Sequence, residues 1–345
     1  MMAEKLLINS LVPPTWNRLK VNDTTVELPL GCAPAIGAGE VNGQETDASL
    51  WQIETGCGRE LTEFLEKNGT KPVFVKTEGS KLLSVKKKYI KNSADILCLE
   101  AKDGETINVL TDMTSEDETE CTAILKVLIK AGKNSVVNLA QLVRPGKGMK
   151  VVTDIGSVAE ESATINMIQV FMDGNDIYTG SRTALVGENS VAENRVGLVR
   201  TNGQTLDMNY VMKHIAKCTV ANIDVTGALS KKAQKIFRGT IDFISGCTGS
   251  DGAENENMLL LDNTIVNKTV PLILCTEESV AGAHGATIGR PAEDVIFYMM
   301  SRGISKTKAL QILERASLEA AANQIEDSGA RDYVLGIIAK KYTDD

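Results

Sequence analysis

Residues 255–303 read NENMLLLDNTIVNKTVPLILCTEESVAGAHGATIGRPAEDVIFYMMSRG, and this stretch decides how the chain is interpreted. Two aliphatic runs, Met258–Leu261 and Pro271–Cys275, are typical of short buried strands. We predict that the small-residue segment Ala281–Thr287 after them is a turn, and that Pro291 opens a helix. Most of the chemistry that the residues offer lies at this junction of strand, turn and helix.

The composition restricts the class of protein. The 345 residues are 43% hydrophobic, enough for a large core or two domains, but only 4% aromatic. Val, Ile, Leu, Ala and Met must fill the interior, which suits repetitive strands better than an aromatic-lined pocket. The net charge of −8 argues against a nucleic-acid partner, because such proteins need a basic face. No apolar run approaches the ~18–20 residues that span a bilayer. The N-terminus does not resemble a signal peptide, so we expect a cytoplasmic protein without a membrane partner.

The seven cysteines are widely and irregularly spaced, and no C-x-x-C occurs. This pattern fits neither a disulfide framework nor a self-contained zinc site. We expect these cysteines to be small buried side chains in a reducing compartment.

Residues 1–80 are predicted to form a mixed N-terminal region. Residues 59–67 indicate a helix with Leu61, Phe64 and Leu65 on one face, stopped by Asn68 and Gly69. Glycines 37, 39 and 43 miss the dinucleotide-binding fingerprint by one residue, so we interpret this segment as a Gly-rich connection.

Residues 81–290 are predicted to be a β core. Short aliphatic runs alternate with turn signals such as Gly132–Asn134, Gly174–Asn175 and Asn202–Gly203. This pattern fits either a β-sandwich or barrel, or a solenoid in which each turn stacks a strand on the next. The scarcity of aromatics favours the solenoid. The basic segment 229–237 is expected to form an excursion outside the solenoid turns.

Residues 291–345 are predicted to form three helices. Arg302 and Gly303 suit the end of the first helix, and Ser305 suits the N-cap of the second. A helical segment after a β body is either a docking module or a cap that closes the solenoid.

The residues that could carry chemistry are few. There are two histidines, His214 and His284, and no P-loop, G-x-S-x-G or H-E-x-x-H motif. His284 is flanked by glycine and alanine, which would let a metal or another chain approach its imidazole. The alternative is an ordinary surface histidine. Cys275 lies nine residues before His284 and could sit one solenoid turn away from it, and Cys247 is interpreted as a small residue of a turn.

A family resemblance rests on several motifs in order. They are Phe237-Arg-Gly-Thr-Ile241, Asn255-Glu-Asn257 with the following leucines, Ala283-His-Gly-Ala-Thr287, and Phe297-Tyr298 followed by Ser301-Arg-Gly-Ile-Ser305. Together they resemble the SufB/SufD family, which are scaffold subunits of the SUF iron–sulfur cluster assembly machinery. The resemblance is clear over residues 205–345 and fades upstream.

The resemblance implies a right-handed parallel β-helix with helical segments at its ends. It implies a non-catalytic scaffold that pairs with a SufB-type subunit, or with itself, through the β-helix. The C-terminal helices would dock the ABC-type ATPase SufC, with Asp294, Phe297, Tyr298 and Arg302 as contact residues. Iron or a cluster would be held transiently in the complex, and no cofactor would be held stably by this chain alone.

Two positions indicate the SufD branch. Members of the SufB type carry a cysteine where Asn255 stands and a glutamate where Gly285 stands. Thiolate is the usual protein ligand of iron–sulfur clusters, so this chain alone looks poorly equipped to hold one. His284 falls on the SufD histidine implicated at the heterodimer interface as a ligand or assembly residue. Gly282 replaces a cysteine that some SufD members carry.

Two other functions are alternatives. One is a SufB-like homodimeric scaffold that works with SufC alone, in which Cys218, Cys247 or Cys275 would replace the missing thiol. The other is a β-solenoid enzyme acting on carbohydrate, but such sites need clustered carboxylates, and the acids here are scattered.

Overall fold

The computed structural model describes residues 2–15, 17–41, 44–45, 49–75 and 79–343. Gly43 of the Gly-rich segment lies outside the described residues. The strands are Ala3–Ile8 (β1), Thr24–Pro29 (β2), Gln44–Glu45 (β3), Pro72–Phe74 (β4), Leu82–Lys88 (β5), Ser93–Ala101 (β6), Thr106–Thr114 (β7), Cys121–Ala131 (β8), Val136–Arg144 (β9), Met149–Ala159 (β10), Thr164–Phe171 (β11), Asp176–Leu185 (β12), Val191–Arg200 (β13), Thr205–His214 (β14), Val220–Leu229 (β15), Gln234–Phe243 (β16), Asp251–Leu260 (β17), Val266–Cys275 (β18) and Ala281–Gly289 (β19). The α-helices are Arg59–Lys67 (α1), Glu293–Ser301 (α2), Lys306–Ala322 (α3) and Ser328–Thr343 (α4).

The core is a parallel β-solenoid, as predicted. Successive strands alternate between a 9-stranded sheet, in the order β18-β16-β14-β12-β10-β8-β6-β4-β3, and an 8-stranded sheet, in the order β19-β17-β15-β13-β11-β9-β7-β5. All pairs in these sheets are parallel except β3 with β4. A sandwich or barrel of hairpins would pair neighbours in sequence, so the alternative architecture is wrong for this chain.

Strands of the solenoid are longer than the apolar runs that predicted them. The middle strands have 8 to 11 residues, because inward apolar positions alternate with outward positions of any polarity. On the outer face of the 8-stranded sheet, Asn108, Asn138 and Asn166 occupy one ladder position on successive strands. The side-chain amides of Asn138 and Asn166 each donate to the Oδ1 atom of the preceding asparagine in the ladder, at 2.8 Å. Such ladders fix the register of strands that carry few distinctive side chains.

The predicted turns form the corners of the solenoid. Asn134, Gly174, Asn189, Asn202 and Gly203 all have positive φ angles, between 53° and 72° for the first four and 77° for Gly203. Asparagine and glycine adopt this conformation at the lowest cost, which is why they marked the corners in the sequence.

The basic segment 229–237 was predicted wrongly. It is not an excursion, because β15 ends at Leu229 and β16 begins at Gln234 within the regular stack. Lys231 and Lys232 form the corner with φ angles of 50° and 65°. The side chain of Lys235 is fully buried inside the solenoid, which a helical or solvated interpretation of the segment could not anticipate.

The N-terminal region covers the outer face of the 9-stranded sheet. β1 and β2 form an antiparallel hairpin, and the predicted α1 buries Leu61, Phe64 and Leu65. These side chains form one cluster with outward residues of the sheet, including Ile96 and Ile124. At Gly56 the chain crosses the sheet so closely that a Cβ would lie 1.9 Å from the Ser181 amide nitrogen.

A buried ion pair holds this covering in place. The guanidinium of Arg238 in β16 donates to Asp207 Oδ1 in β14 at 2.6 Å, and both side chains are almost fully buried. Arg238 also donates to the Val21 carbonyl at 2.5 Å, while Asn9 and Thr24 donate to the Asp207 carboxylate at 2.7 and 2.5 Å. The pair thus satisfies polar groups of the N-terminal segment across more than 180 residues of sequence.

The C-terminal helices cover part of the other sheet. Side chains of α3 and α4, among them Leu318, Val334 and Ile338, pack on Leu142 and Val170 of the 8-stranded sheet. Ser305 caps α3 as predicted, accepting from the Lys308 amide, and Gly303 follows α2 with a φ of 83°. α2 begins at Glu293 with Ala292 as its N-cap, so the prediction that Pro291 is its first residue was wrong. Within the described ranges no helix is both long and apolar enough to cross a membrane.

Candidate functional site

The last turn of the solenoid presents two open sheet edges. β18 and β19 are the final strands of their sheets, and only β16 and β17 pair with them among the described strands. The Ala281 amide donates to the carbonyl of Ser250, the residue before β17. Because alternate residues of a parallel strand bond to the same neighbour, the amides of Gly282, His284, Ala286 and Ile288 face the free edge.

The same alternation explains a proline inside β18. The amides of Val266 and Thr276 donate to β16 and its continuation, so amides of odd-numbered residues between them face away. Pro271 occupies one of these outward positions, where its missing N–H costs no ladder hydrogen bond. The edge of β18 is therefore compatible with proline because none of the described strands lies beyond it.

The segment Ala281–Thr287 is a strand and not the predicted turn. It lies within β19, which pairs with β17 from Asp251↔Ala281 to Leu259↔Gly289. The glycines and alanines that suggested a turn have ordinary extended backbone there, because the backbone ladder to β17 overrides their weak strand propensity. The functional consequence is that His284 lies on a strand that is hydrogen-bonded to β17.

His284 lies on the face of β19 that continues the solenoid interior. Its ladder partner is Glu254, which alternates with Glu256 and Met258 as buried residues of β17. Partners in a parallel ladder project to the same side of the sheet, so His284 stands over Glu254 at the open end. The imidazole is exposed to solvent, whereas Glu254 is only 3% exposed.

Glu254 is an unusual carboxylate. Its pKa is raised to about 7, mainly because burial penalises the charged form and also because Glu256 lies nearby, while Lys235 opposes the shift. Its Oε1 atom is buried without a hydrogen-bond partner among the described residues. A carboxylate in this state can exchange a proton near neutral pH or accept a bond from an incoming group.

Beneath this pair lies a buried ion pair. The ammonium of Lys235 contacts the Glu256 carboxylate, and both side chains are fully buried. Thr269 of β18 donates its hydroxyl to Glu256 Oε2 at 2.7 Å. Burial lowers the pKa of Lys235, while Glu256 counteracts that shift. Sequence reasoning missed these residues, because a lysine and two glutamates in strand-like runs give no sign of facing inward together.

The two positions that indicated the SufD branch lie on the opposite, outer face. Asn255 and Gly285 are ladder partners of β17 and β19, and a Cβ at Gly285 would lie 3.1 Å from Asn255 Oδ1. They open onto a groove of about 520 Å³ that is bounded by α3. Arg195 and Asp224 also line it, and the Asn255 amide donates to Asp224 Oδ1 at 3.2 Å. In a SufB-type member, the cysteine at position 255 and the glutamate at position 285 would therefore lie side by side. In this chain, the same positions carry the side-chain amide of Asn255 and no side chain at Gly285.

The cysteines are only partly as predicted. All seven are free, and Cys57, Cys98, Cys121 and Cys247 are buried. Cys218 and Cys275 are exposed and Cys32 is half-buried, so the expectation of buried small side chains was wrong for these three. Cys275 ends β18, in the other sheet from His284, and its thiol contacts the Glu277 carbonyl at 2.9 Å. Within the described part of the chain, no group of three or more His, Cys, Asp or Glu side chains could hold a metal ion.

His214 is a structural histidine of the interior. Its Nδ1 atom lies 2.7 Å from the Thr219 hydroxyl, and its ring stacks on Phe243 at 4.6 Å. Burial lowers the pKa of His214 to about 4. The ring is fully buried, so His284 is the histidine that a partner can reach.

The predicted docking residues lie on an exposed helix. All nine residues of α2 are described and none is buried. Phe297 and Tyr298 are 73% and 58% exposed, and the Arg302 guanidinium lies 5.1 Å from the Tyr298 ring centroid. Asp294 is also exposed and accepts from the Val295 amide at 2.8 Å. Two large exposed aromatics on one short helix are typical of an interaction surface.

Comparisons with known proteins agree with this arrangement. The family described as "SUF system FeS cluster assembly, SufBD core domain" matches residues 85–317. The chain is 22% identical to the iron–sulfur cluster assembly protein SufD of Bacillus subtilis over 234 residues, covering 68% of this chain and 50% of that protein.

Two further relatives represent both branches. SufD of Escherichia coli is 26% identical over 182 residues, covering 52% of this chain and 43% of that protein. SufB of Bacillus subtilis is 27% identical over 177 residues, covering 49% of this chain and 36% of that protein. The chain thus spans about half or less of the length of the curated relatives it matches. With two thirds of its length matched by the family's core domain, the chain belongs to the SufB/SufD family of the SUF iron–sulfur cluster assembly system.

Proposed function

We propose that this chain is a SufD-like scaffold subunit of a cytoplasmic SUF complex. It would pair with a SufB-type subunit at the open end of the solenoid and dock a SufC-type ATPase through its C-terminal helices. It would contribute no catalysis of its own. The observation that carries the proposal is that His284 lies on a free sheet edge whose amides have no partner in the described chain.

Pairing at this end would follow the physics of strand addition. An exposed edge is a row of unpaired donors and acceptors, and a second solenoid with a similar edge would satisfy them. Ile273 of β18 and Ile288 of β19 are 38% and 39% exposed, so pairing would also bury apolar area. A second copy of this chain could use the same edge, which is why the homodimeric alternative is kept as an outcome of the test.

His284 is proposed to contact iron or a nascent cluster at that junction. An exposed imidazole above a buried carboxylate with a raised pKa combines two ligand types suited to iron. The missing thiolate would come from the partner, because Asn255 supplies none at the position where SufB-type members carry cysteine. Iron and cluster are the cargo of the complex in this account, and this chain alone would not retain them.

The assignment to the SufD type is supported by the outer groove. Asn255 and Gly285 face one another there without a thiol or a carboxylate between them. Cys275 and Cys218 are exposed but lie outside this groove, so neither replaces the missing group at its own position. A lone SufB-like scaffold would need a thiol in this place.

The first experiment is anaerobic reconstitution with SufB-type and SufC-type proteins. The proposal expects a complex that contains all three chains and that accumulates iron only when the SufB-type subunit is present. A self-paired dimer that binds the ATPase and assembles a cluster without the SufB-type subunit would instead establish the homodimeric scaffold. Failure to bind either protein would refute both.

His284→Ala tests the assembly role directly. The side chain is exposed, so the variant should fold and form the complex normally while its cluster yield falls. His214→Phe is the contrasting variant, because the buried ring should affect stability rather than cluster chemistry. An unchanged cluster yield in His284→Ala would return His284 to an ordinary surface histidine.

Substitution tests the docking surface better than deletion. Removing residues 291–345 would expose the sheet residues that α3 and α4 bury, so loss of ATPase binding could then reflect a damaged core. Phe297→Ala with Tyr298→Ala removes exposed rings only, and ATPase binding should fall about tenfold or more at unchanged melting temperature. Ile312→Ala on α3, which truncates a side chain that is 39% exposed, is the control. Unaltered ATPase affinity in the double variant would refute α2 as the docking helix.

A further inference from the structure

The connection between β1 and β2 reaches the open end of the solenoid. This β1–β2 loop comprises residues 9–23, all described except residue 16, whereas an ordinary hairpin loop has about two to five residues. Long ordered surface loops commonly form binding surfaces. The loop is separate in sequence from His284 and from the docking helix α2.

The β1–β2 loop crosses the outer face of the 9-stranded sheet toward its last strand. At the start of the loop, Asn9 donates to Asp207 of β14 at 2.7 Å. The Val21 carbonyl accepts from Arg238 of β16. Because β14, β16 and β18 are neighbours about 4.8 Å apart, each of these contacts lies one strand closer to the open edge than the one before.

The tip of the loop, residues 17–20, lies beside β18. The Lys268 ammonium of that strand donates to the Leu19 carbonyl at 3.1 Å. β18 is the last described strand of its sheet, so a subunit that pairs with its free edge would lie next to the tip. The tip therefore extends the open end by a surface that does not belong to the solenoid itself.

Hydrogen bonds within the loop fix the shape of the tip. Asn22 Oδ1 accepts from the amide and the hydroxyl of Thr15 at 2.8 and 2.9 Å. The side-chain amide of Asn22 donates to the Thr15 carbonyl at 3.1 Å and to Asn17 Oδ1 at 2.8 Å. The Lys20 amide donates to the Asn17 carbonyl at 3.1 Å. A partner would therefore meet a preorganised tip, and binding it would cost little conformational entropy.

The tip exposes one large apolar side chain between two cations. Leu19 is 54% exposed, and its neighbours Arg18 and Lys20 are exposed as well. With Lys268 they form a basic patch on a chain whose net charge is −8. An apolar side chain with cations around it is complementary to an apolar recess that has carboxylates at its rim.

We propose that the tip of the β1–β2 loop is a second contact for the SufB-type subunit, where it binds an apolar recess bordered by Asp or Glu side chains. The inference rests on the proposed function, because it requires that subunit to pair at the open end. Strand addition to β18 and β19 would supply backbone hydrogen bonds, which are similar for any strand. The tip would add recognition through side chains, and thereby specificity.

The charge of the tip favours a different chain over a second copy. β18 of a second copy contains no Asp or Glu and carries Lys268 itself. A paired β18 from a second copy would therefore offer the tip no carboxylate. The SufB-type subunit is the committed partner for this reason, and self-pairing is an outcome of the test.

The test is a triple variant of the full chain, Leu19→Ser with Arg18→Glu and Lys20→Glu. It changes exposed side chains only and retains the Leu19 carbonyl that Lys268 contacts, so the melting temperature should stay at the wild-type value. The Kd for the SufB-type subunit should rise at least about tenfold. The association rate should also fall and should no longer increase at low salt, because the tip would then repel the partner's carboxylates.

Ile90→Ser with Lys91→Glu is the matched control. Ile90 is 75% exposed and Lys91 is also exposed, so the same kinds of side chain are changed. Both precede β6, which lies near the opposite end of the sheet from β18. The control should bind the SufB-type subunit with the wild-type Kd.

The outcomes separate this inference from the proposed function. If the wild-type chain and the triple variant bind the SufB-type subunit with the same Kd, the inference is overturned while pairing at β18 and β19 remains supported. If the wild-type chain pairs only with itself, or does not bind the SufB-type subunit, both fail. Hydrogen exchange adds an independent readout, because the peptide covering residues 17–22 should exchange more slowly in the complex than in the lone chain.

Discussion

The two edge strands of the 8-stranded sheet have opposite characters. β5, at one edge, reads LLSVKKK, and its lysines are engaged. Lys86 lies 3.5 Å from the Tyr333 ring centroid, Lys87 pairs with Glu40 at 3.0 Å, and Lys88 contacts Glu116. β19, at the other edge, reads AGAHGATIG and contains no Asp, Glu, Lys or Arg.

This difference indicates which edge strand is protected against pairing with a further strand. Lysines on an edge strand prevent another strand from adding, because pairing would bury their charges. Small uncharged residues leave the backbone of β19 accessible. Since an unprotected edge promotes aggregation, a protein that keeps one is expected to have a partner for it. The comparison therefore supports a protected end at β5 and an open, partner-binding end at β18 and β19.

The largest expected effect concerns the N-terminal segment that covers the outer face of the 9-stranded sheet. Asp207→Ala would leave Arg238 buried without its counter-charge and would release the N-terminal segment. We expect a loss of about 3–5 kcal/mol in the free energy of unfolding, measured by urea denaturation. Arg59→Ala is the control, because Arg59 and Glu63 form a surface pair with 90% and 56% exposed side chains. The control should change by less than about 1 kcal/mol. Similar losses of unfolding free energy in both variants would contradict the view that the Asp207–Arg238 pair holds the N-terminal segment on the sheet.

The second effect is the pH dependence of the free energy of unfolding that Glu254 at the open end causes. The ordinary pKa of a glutamate is 4.5, and that of folded Glu254 is about 7. The folded state therefore binds more protons than the unfolded state between these values, and the free energy of unfolding falls as pH rises from about 4.5 to 7. Glu254→Gln has no such titration. The variant should gain on the order of 2–3 kcal/mol relative to wild type across this window.

Chemical denaturation of both proteins from about pH 4 to pH 8 measures this gap. The gap should be small at the acid end and constant above neutral pH. A gap that does not change with pH would mean that Glu254 titrates normally in the folded protein and that the open end is well hydrated.

The third effect is on partner binding. Ala286→Pro removes an amide that faces the free edge, so strand addition would lose a hydrogen bond and meet the proline ring. The affinity for the SufB-type partner should fall at least about tenfold, while the melting temperature changes little. Thr287→Pro is the contrasting variant, because its amide faces β17, and it should destabilise the fold. Normal partner binding in Ala286→Pro would exclude pairing through β19.

The smallest effect is at the protected edge. Lys86→Met removes the contact with the Tyr333 ring. It also removes one of the positive charges that protect the β5 edge against strand pairing. Stability should fall by about 0.5–1 kcal/mol. Light scattering should show increased self-association at high concentration, because the edge is less well protected. If the variant is as monodisperse as the wild type, then Lys87 and Lys88 are sufficient to protect the β5 edge against self-association.

Much of the fold could be predicted because its signals are local. Asn134, Asn202 and Gly203 marked corners since the chain needs positive φ there. The helix over Arg59–Lys67 followed from three apolar residues on one face. The scarcity of aromatic residues favoured a narrow interior, and the solenoid has one. The local signals failed where long-range pairing prevailed, as in β19 and in the basic corner at Lys231.

The candidate site was harder to predict for the same reason. His284 could be singled out from its small neighbours and from the family motif. Its position over Glu254 depends on a ladder between strands thirty residues apart, and no local pattern encodes that register. The pairing of Lys235 with Glu256, and of Arg238 with Asp207, likewise appears only once the strands are stacked.

The most direct measurement of the central claim is hydrogen exchange of the chain alone and in complex with the SufB-type subunit. The peptides covering β18 and β19 should exchange rapidly in the lone chain and become protected on binding, while the peptide covering β10 in the middle of the sheet stays protected in both states. If the β18 and β19 peptides exchange equally with and without the partner, and protection appears elsewhere, then the open end is not the pairing surface.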